Sequence, residues 1–251
     1  MKPLILISND DGIRAEGIQV LAKFLRRVAN VVIVAPDGEQ SASSHSLTLH
    51  RPLRVFHHAP QEYSVDGTPT DCVMLAVYEI LKKKPDLIVS GINRGANLGD
   101  DVHYSGTVSA AMEGALMGIP SVAVSLVAYG DDPTHFQTAA QFIVTLSRKI
   151  LKQKKLPQGF VLNVNVPNFP TRQIKGSQFT CLGKRDYGEV IFKKVDPRGK
   201  KYYWIGGDDR TFENIPESDG NAIKQKKISI TPLQVDMTHQ HLLQTLRRIK
   251  L

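Results

Sequence analysis

The chain has 251 residues, 41% of them hydrophobic, 7% aromatic and 22% charged, with a net charge of +8 and a pI near 9.4. Those values fit one large α/β domain, or a domain with an appendage, and no run approaches the roughly 18 apolar residues that a membrane span needs. Cys72 and Cys181 lack the spacing of a disulfide framework or metal site, and no signal-peptide cleavage region follows MKPLILIS, so a cytoplasmic chain is expected.

A basic balance favours anionic partners without choosing among them. Much of the excess sits in lysine runs at 82–84, 152–155, 193–201 and 224–227. No aromatic residues interleave with these runs as a base-stacking surface requires, so nucleic-acid binding is not expected.

Residues 4–8 (LILIS) read as a short buried strand that breaks into Asn9, Asp10, Asp11 and Gly12. Residues 16–28 (EGIQVLAKFLRRV) place Ile18, Leu21, Leu25 and Val28 on one helical face. Residues 31–35 (VVIVA) form a second buried strand, followed by the polar loop 37–46, DGEQSASSHS. Strand, helix and strand within about thirty residues make a right-handed parallel βαβ unit. Residues 53–56 and 63–65 suggest a short extended pair.

A helix begins at Thr68, the expected N-cap, with Pro69 in its first turn and Asp71 three residues beyond the cap. It is expected to run to about residue 83. Residues 87–90 (LIVS) form the next strand, and 91–106 a long glycine-rich loop. A small-residue helix over 109–117, a strand over 121–125, a helix over about 133–152 and a strand over 161–166 complete the alternation of a doubly wound, mainly parallel sheet. From 168 to 227 the chain is polar, with short β-like pieces, VIFKKV and KYYWIG. The expectation there is hairpins used for oligomerisation or site closure. Ile228–Leu233 returns as a strand, and 237–250 as a terminal helix. The expected organisation is a catalytic domain over 1–167, an extension over 168–227, and a returning strand and helix over 228–251.

Three polar loops follow three apolar strands, so all should open at one edge of the sheet, where open α/β sheets present ligand groups. The first carries Asp10 and Asp11, adjacent carboxylates that need a cation, a shared proton or ample water. An acidic, helix-capping turn is the plainer reading of that stretch alone. The second carries Ser41, Ser43, Ser44, His45 and Ser46. The third carries Asn93, Asn97, Asp100, Asp101 and the turn Ser105–Gly106–Thr107. Carboxylate, hydroxyl and amide oxygens are hard ligands, suited to Mg²⁺ or Mn²⁺. The Ser105 turn opens a helix, whose N–H groups form a ready phosphate site. GxGxxG after the first strand, GxxxxGK[ST] and GxSxG are all absent.

ILISNDDG, SASSHSLTL at 41–49, DGTPTDCV at 66–73, SGINRGANLGDDVHYSGTVSAAMEGALMGIPSVAVS at 90–125 and ITPLQVDMTH at 230–239 together resemble the SurE (survival protein E) family of metal-dependent nucleotidases. The resemblance implies a Rossmann-like three-layer αβα domain and one divalent ion per subunit. It implies hydrolysis of nucleoside 5′- and 3′-monophosphates, and in some members of short polyphosphate. Carried over by residue, the metal ligands are Asp10, Asp11, Ser41 and Asn93, and the phosphate-contacting turn is Ser105, Gly106 and Thr107. Asn97 takes the nucleotide-side position. The family also implies a homodimer or homotetramer with exchanged hairpins and C-terminal segments. The DGEQ stretch before Ser41 departs from the family's usual Arg- or Asn-rich one.

Asp10 or Asp11 is the candidate base for an attacking water, and His45 and His103 are possible leaving-group acids. An aspartyl-phosphate route fits NDDG poorly, since its carboxylates are adjacent rather than two apart. A metal-dependent nucleotide sensor without turnover would keep the same ligands. An RNA-binding module rests on charge alone.

Overall fold

A computed structural model describes residues 2–185, 191–205 and 212–249 of the chain. Parts of the expected extension (186–190 and 206–211) and the expected end of the terminal helix at 250 lie outside the described residues.

The first unit is β1 (Leu4–Ser8), α1 (Glu16–Leu25) and β2 (Asn30–Pro36). β1 is buried along its whole length, as an apolar strand covered on both faces must be. α1 buries Ile18, Leu21 and Leu25, the stripe its periodicity announces, and ends three residues before the expected Val28. β3 (Val55–Ala59) and β4 (Glu62–Val65) form an antiparallel pair at the sheet's edge. α2 (Pro69–Leu75) starts with a capping box: Thr68 Oγ1 accepts from the Asp71 N–H, and the Asp71 carboxylate accepts from the Thr68 N–H. The helix passes at Ala76 into a π-helical turn, Ala76–Ile80, short of residue 83.

β5 (Leu87–Arg94), α3 (Gly106–Leu116), β6 (Ser121–Val127), α4 (Phe136–Leu151) and β7 (Val161–Pro167) continue the alternation. β8 (Ser177–Phe179) then precedes a hairpin of β9 (Ile191–Val195) and β10 (Lys201–Ile205). α5 (Asp219–Lys224), β11 (Ile228–Leu233) and α6 (Gln240–Leu246) complete the described chain.

Nine strands share one sheet in the order β3-β4-β2-β1-β5-β6-β7-β11-β8, and β9 and β10 form a separate two-stranded sheet. The central strands are parallel, while β11 runs antiparallel to β7 and places β8, from the expected extension, on the sheet's far edge. On one face α1 and α4 cover Ile5, Ile7, Val89 and Val124. On the other, α2 covers Leu6 and Val32, and α3 covers Ala123 and Val161. This is the three-layer, doubly wound arrangement. The chain leaves β1 toward β2 on one side and returns to β5 on the other, so the order reverses between β1 and β5. Ligands of open α/β sheets bind beyond the strand ends at such a reversal. Among the described residues no helix is long and apolar enough to cross a membrane.

Candidate active site

The carboxyl end of β1 carries Asn9, Asp10 and Asp11. Asn9 folds back, its side-chain N–H donating to the Gly12 carbonyl at 2.9 Å, and so turns the two aspartates out of the strand. Asp10 is buried, and its Oδ1 accepts a hydrogen bond from the Thr107 hydroxyl. Burial drives its carboxyl up from the ordinary value, more than the Thr107 bond lowers it. Burial, and then the charge of Asp10, push the Asp11 carboxyl up to about 7. The Arg94 backbone N–H offers Asp11 one long bond of 3.4 Å. The Arg94 charge favours ionisation of Asp11 but is outweighed by burial and by Asp10, so two adjacent acids in this state call for further positive charge.

Two more loops reach this point. The Gln40 N–H donates to the Asp10 carbonyl at 2.8 Å, which pins the loop after β2 beside the first. From the other side comes the N-terminus of α3, capped by Ser105, whose Oγ accepts from the Val108 N–H at 3.1 Å. A Cβ placed on Gly106 would lie 2.7 Å from Ser43 Oγ and 2.9 Å from Asp10 Cβ. Only a residue without a side chain lets these elements close, and the bare backbone faces the carboxylates. Ser43 Oγ is buried there without a hydrogen-bond partner among the described residues.

The structure therefore brings together Asp10, Asp11, Gly106 and Thr107 directly. Thr107 meets Asp10 through its hydroxyl, which leaves only its backbone N–H for an anion. Ser41 is exposed, and its hydroxyl donates to the Glu39 carboxylate at 2.6 Å. Asn93 closes β5 next to Arg94, its amide nitrogen donating to the Gly95 carbonyl at 3.1 Å. That leaves the amide oxygen as the atom a cation would take. Asn97 is buried and turned inward, its amide nitrogen on Ser125 Oγ at 2.7 Å. His45 pairs with Glu113, two turns along α3, at 2.8 Å, and His103 ends a 3-10 turn, Gly99–His103.

Several contributors have no counterpart among the expected site residues. The Glu39 charge opposes ionisation of both aspartates, although among the described residues no group of three His, Cys, Asp or Glu is placed to hold an ion. Asn163 and Asn165 of β7 each donate to the Asn97 carbonyl, and Asn165 Oδ1 accepts the Asn97 N–H. Asp219 accepts the Gly99 N–H at 2.8 Å. Two asparagines alternating within an otherwise apolar strand, VLNVNV, are a visible signal of a buried polar job. Nothing local marks Glu39 or Asp219.

Fold and site together define a doubly wound α/β protein with a carboxylate pair closed against a helix start at its topological switch point. A profile of the family described as Survival protein SurE matches residues 5–189. The 5′-nucleotidase SurE of Geobacter sulfurreducens is 52% identical over 235 residues, 94% of this chain and 89% of that protein. The 5′-nucleotidase SurE of Geotalea uraniireducens is 52% identical over 244 residues, 97% of this chain and 98% of that one. A crystal structure of the SurE protein from Aquifex aeolicus superposes with a TM-score of 0.87, at 42% identity and 98% coverage of both chains. The chain belongs to the SurE family.

Proposed function

We propose that this chain is a 5′-nucleotidase, a divalent-metal-dependent phosphomonoesterase that hydrolyses nucleoside 5′-monophosphates to nucleoside and phosphate. Its range extends to 3′-monophosphates and short polyphosphate. The observation that carries the reading is the closure of Asp10 on the bare backbone of Gly106. A carboxylate pair short of positive charge meets a helix start short of an anion, and a cation with a phosphate monoester completes both. The relatives named 5′-nucleotidase support the nucleotide part of this reading.

The donor set fits a hard cation. Asp10 and Asp11 supply charge, Ser41 and Asn93 supply neutral oxygens, and all are oxygen donors, as Mg²⁺ or Mn²⁺ requires. Ser41 keeps its lone pairs free while its O–H donates to the Glu39 carboxylate. When bound, the ion would neutralise charge on the phosphoryl group as a Lewis acid. The chain does the rest. First-turn N–H groups have no intrahelical acceptor, so those of Gly106 and Thr107 are available to orient the phosphate. Thr107 locks Asp10 as a ligand through Oδ1. Asp11, whose one hydrogen bond among the described residues is the long one from Arg94, is the carboxylate with freedom to take the proton of an attacking water. Asn97 serves indirectly, keeping the nucleotide side of the loop in shape.

Phosphate release from a panel of nucleoside monophosphates, with Mn²⁺ or Mg²⁺ and with chelator, tests reaction, substrate and metal together. Release that chelator stops is expected. Nucleotide binding without release would instead make the protein a sensor.

We also infer a homodimer or homotetramer joined through the β9–β10 hairpin and α6. Ile191, Phe192, Tyr202, Tyr203, Trp204 and Ile205 are all exposed on the hairpin, as are Leu242, Leu243 and Leu246 on α6. Apolar patches of that kind are rare on monomers and are covered by symmetric association.

A further inference from the structure

Beside Asp11 lies a cavity of about 430 Å³, bordered by Arg94, Glu16 and Asp132. It shares Asp132 and Pro133 with a second cavity of about 520 Å³, whose floor is the last residue of β6, Val127, and of β7, Pro167. The two adjoin at these residues and follow one another along the carboxyl edge of the sheet, as the two ends of one groove. From the end of β1 across β5 to β6 and β7 is two to three strand spacings, about 10–14 Å.

The walls of the groove are built rather than incidental. Arg94 donates to the Gly130 carbonyl at 2.7 Å and ties the 128–135 loop to the end of β5. Asn168 bridges the same loop twice, accepting the His135 N–H and donating to the Pro133 carbonyl, each at 2.9 Å. The Phe169 ring is held under the Lys226 ammonium, 4.3 Å from its centroid.

Chemistry changes along the groove. The near end carries three carboxylates, Glu16 and Asp132 beside Asp11, against one cation, Arg94, whose guanidinium is engaged on the Gly130 carbonyl. Carboxylates there accept hydroxyl hydrogen bonds and repel a second phosphate. The far end presents Tyr129, Phe169, Pro133 and Pro170, with Gln173 and His135 able to hydrogen-bond a polar edge. Apolar and aromatic walls with a few polar groups suit a flat heterocycle. Phosphate site, acidic stretch and aromatic pocket follow in the order phosphate, sugar, base.

Resting on the nucleotidase reading, we propose that this groove seats the nucleoside half of the substrate, with the ribose hydroxyls at Glu16 and Asp132 and the nucleobase between Tyr129 and Phe169.

The test is steady-state kinetics of the full chain with Mn²⁺ on AMP, GMP, tripolyphosphate and p-nitrophenyl phosphate, which carries no nucleoside. Gln173→Trp fills the pocket from an exposed position, and Phe169→Ala removes one wall. In both, the ratio of kcat/KM for AMP over that for p-nitrophenyl phosphate should fall about tenfold, mainly through KM for AMP. An unchanged ratio in Gln173→Trp overturns the assignment. So does a loss confined to tripolyphosphate, which would put a polyphosphate tail in the groove. If the wild-type chain releases phosphate from p-nitrophenyl phosphate but from no nucleotide, the nucleotidase reading itself falls, and that result is separate from an unchanged ratio.

Discussion

At the carboxyl edge of the sheet the loops bury polar groups. Asp10, Asn97, Ser105 and Thr107 are all inside the protein, and the Ser43 hydroxyl has no partner among the described residues. The β9–β10 hairpin does the reverse: Trp204 is 64% and Ile205 84% exposed, and all five residues of β10 face solvent. Both regions break the ordinary rule that apolar groups go inside and polar groups outside. In the proposed reading each is a surface that another molecule completes, a charged ligand in one case and a second copy of the chain in the other.

The sharpest break in the comparison comes at the carboxylate pair. Asp11→Asn should lower turnover by at least about a hundredfold, because a charge that acts on the transition state is lost. The apo fold should gain. The Asp11 carboxyl rises from 3.8 to about 7 in the folded state, so between those values the folded protein keeps a proton that the unfolded chain releases. Stability therefore falls as pH rises through this window, and the whole cost is present above about pH 7. In EDTA at pH 8 the Asn variant should melt above the wild type, and added Mn²⁺ should raise the wild type far more than the variant. Equal melting curves would show that the acids do not oppose each other.

On the hairpin side, Trp204→Glu should shift the protein in sedimentation toward the 27.8 kDa single chain. Deleting 236–251 should dissociate or misfold it. A wild type that sediments as a fully active monomer at micromolar concentration would leave the exposed hairpin without its partner.

A smaller effect, back at the site, belongs to Gly106→Val. The side chain would collide with Ser43 and Asp10, and inhibition by inorganic phosphate should weaken about tenfold. Unaltered inhibition would place the phosphate elsewhere.

The mildest change is Asn165→Ala, which takes away a donor and an acceptor from the backbone of Asn97. The Asn97 carbonyl keeps its bond from Asn163, but the Asn97 N–H is left unpaired, and a buried group in that state costs about 1–3 kcal/mol. Differential scanning calorimetry should show a lower melting temperature, and KM for AMP should rise a few-fold with kcat little changed.

Much of the sheet was legible before any coordinates. Runs such as LILIS, VVIVA and LIVS are buried on both faces, and the apolar stripe of α1 and the Thr68–Asp71 box depend on neighbours a few residues away. The terminal helix, Gln240–Leu246, is shorter than the expected 237–250, and its leucines are exposed, with no apolar cover among the described residues to extend it. β8 was hidden for a related reason: three residues, SQF, carry no period, and only pairing with β11 makes them a strand.

The sequence by itself marked the candidates for a cation and a phosphate, because Asp-Asp after an apolar strand and Ser-Gly-Thr before a helix carry their chemistry locally. Only the tertiary structure decided how they meet. Thr107 on Asp10, Ser43 against Gly106, Glu39 near both aspartates and Asp219 holding Gly99 join residues from 28 to 120 positions apart. No local pattern encodes such contacts, since they depend on strand order and on the closeness of two backbones. The groove from Asp11 to Phe169 is of the same kind, assembled from loops that follow four different strands and brought into line only by their shared edge.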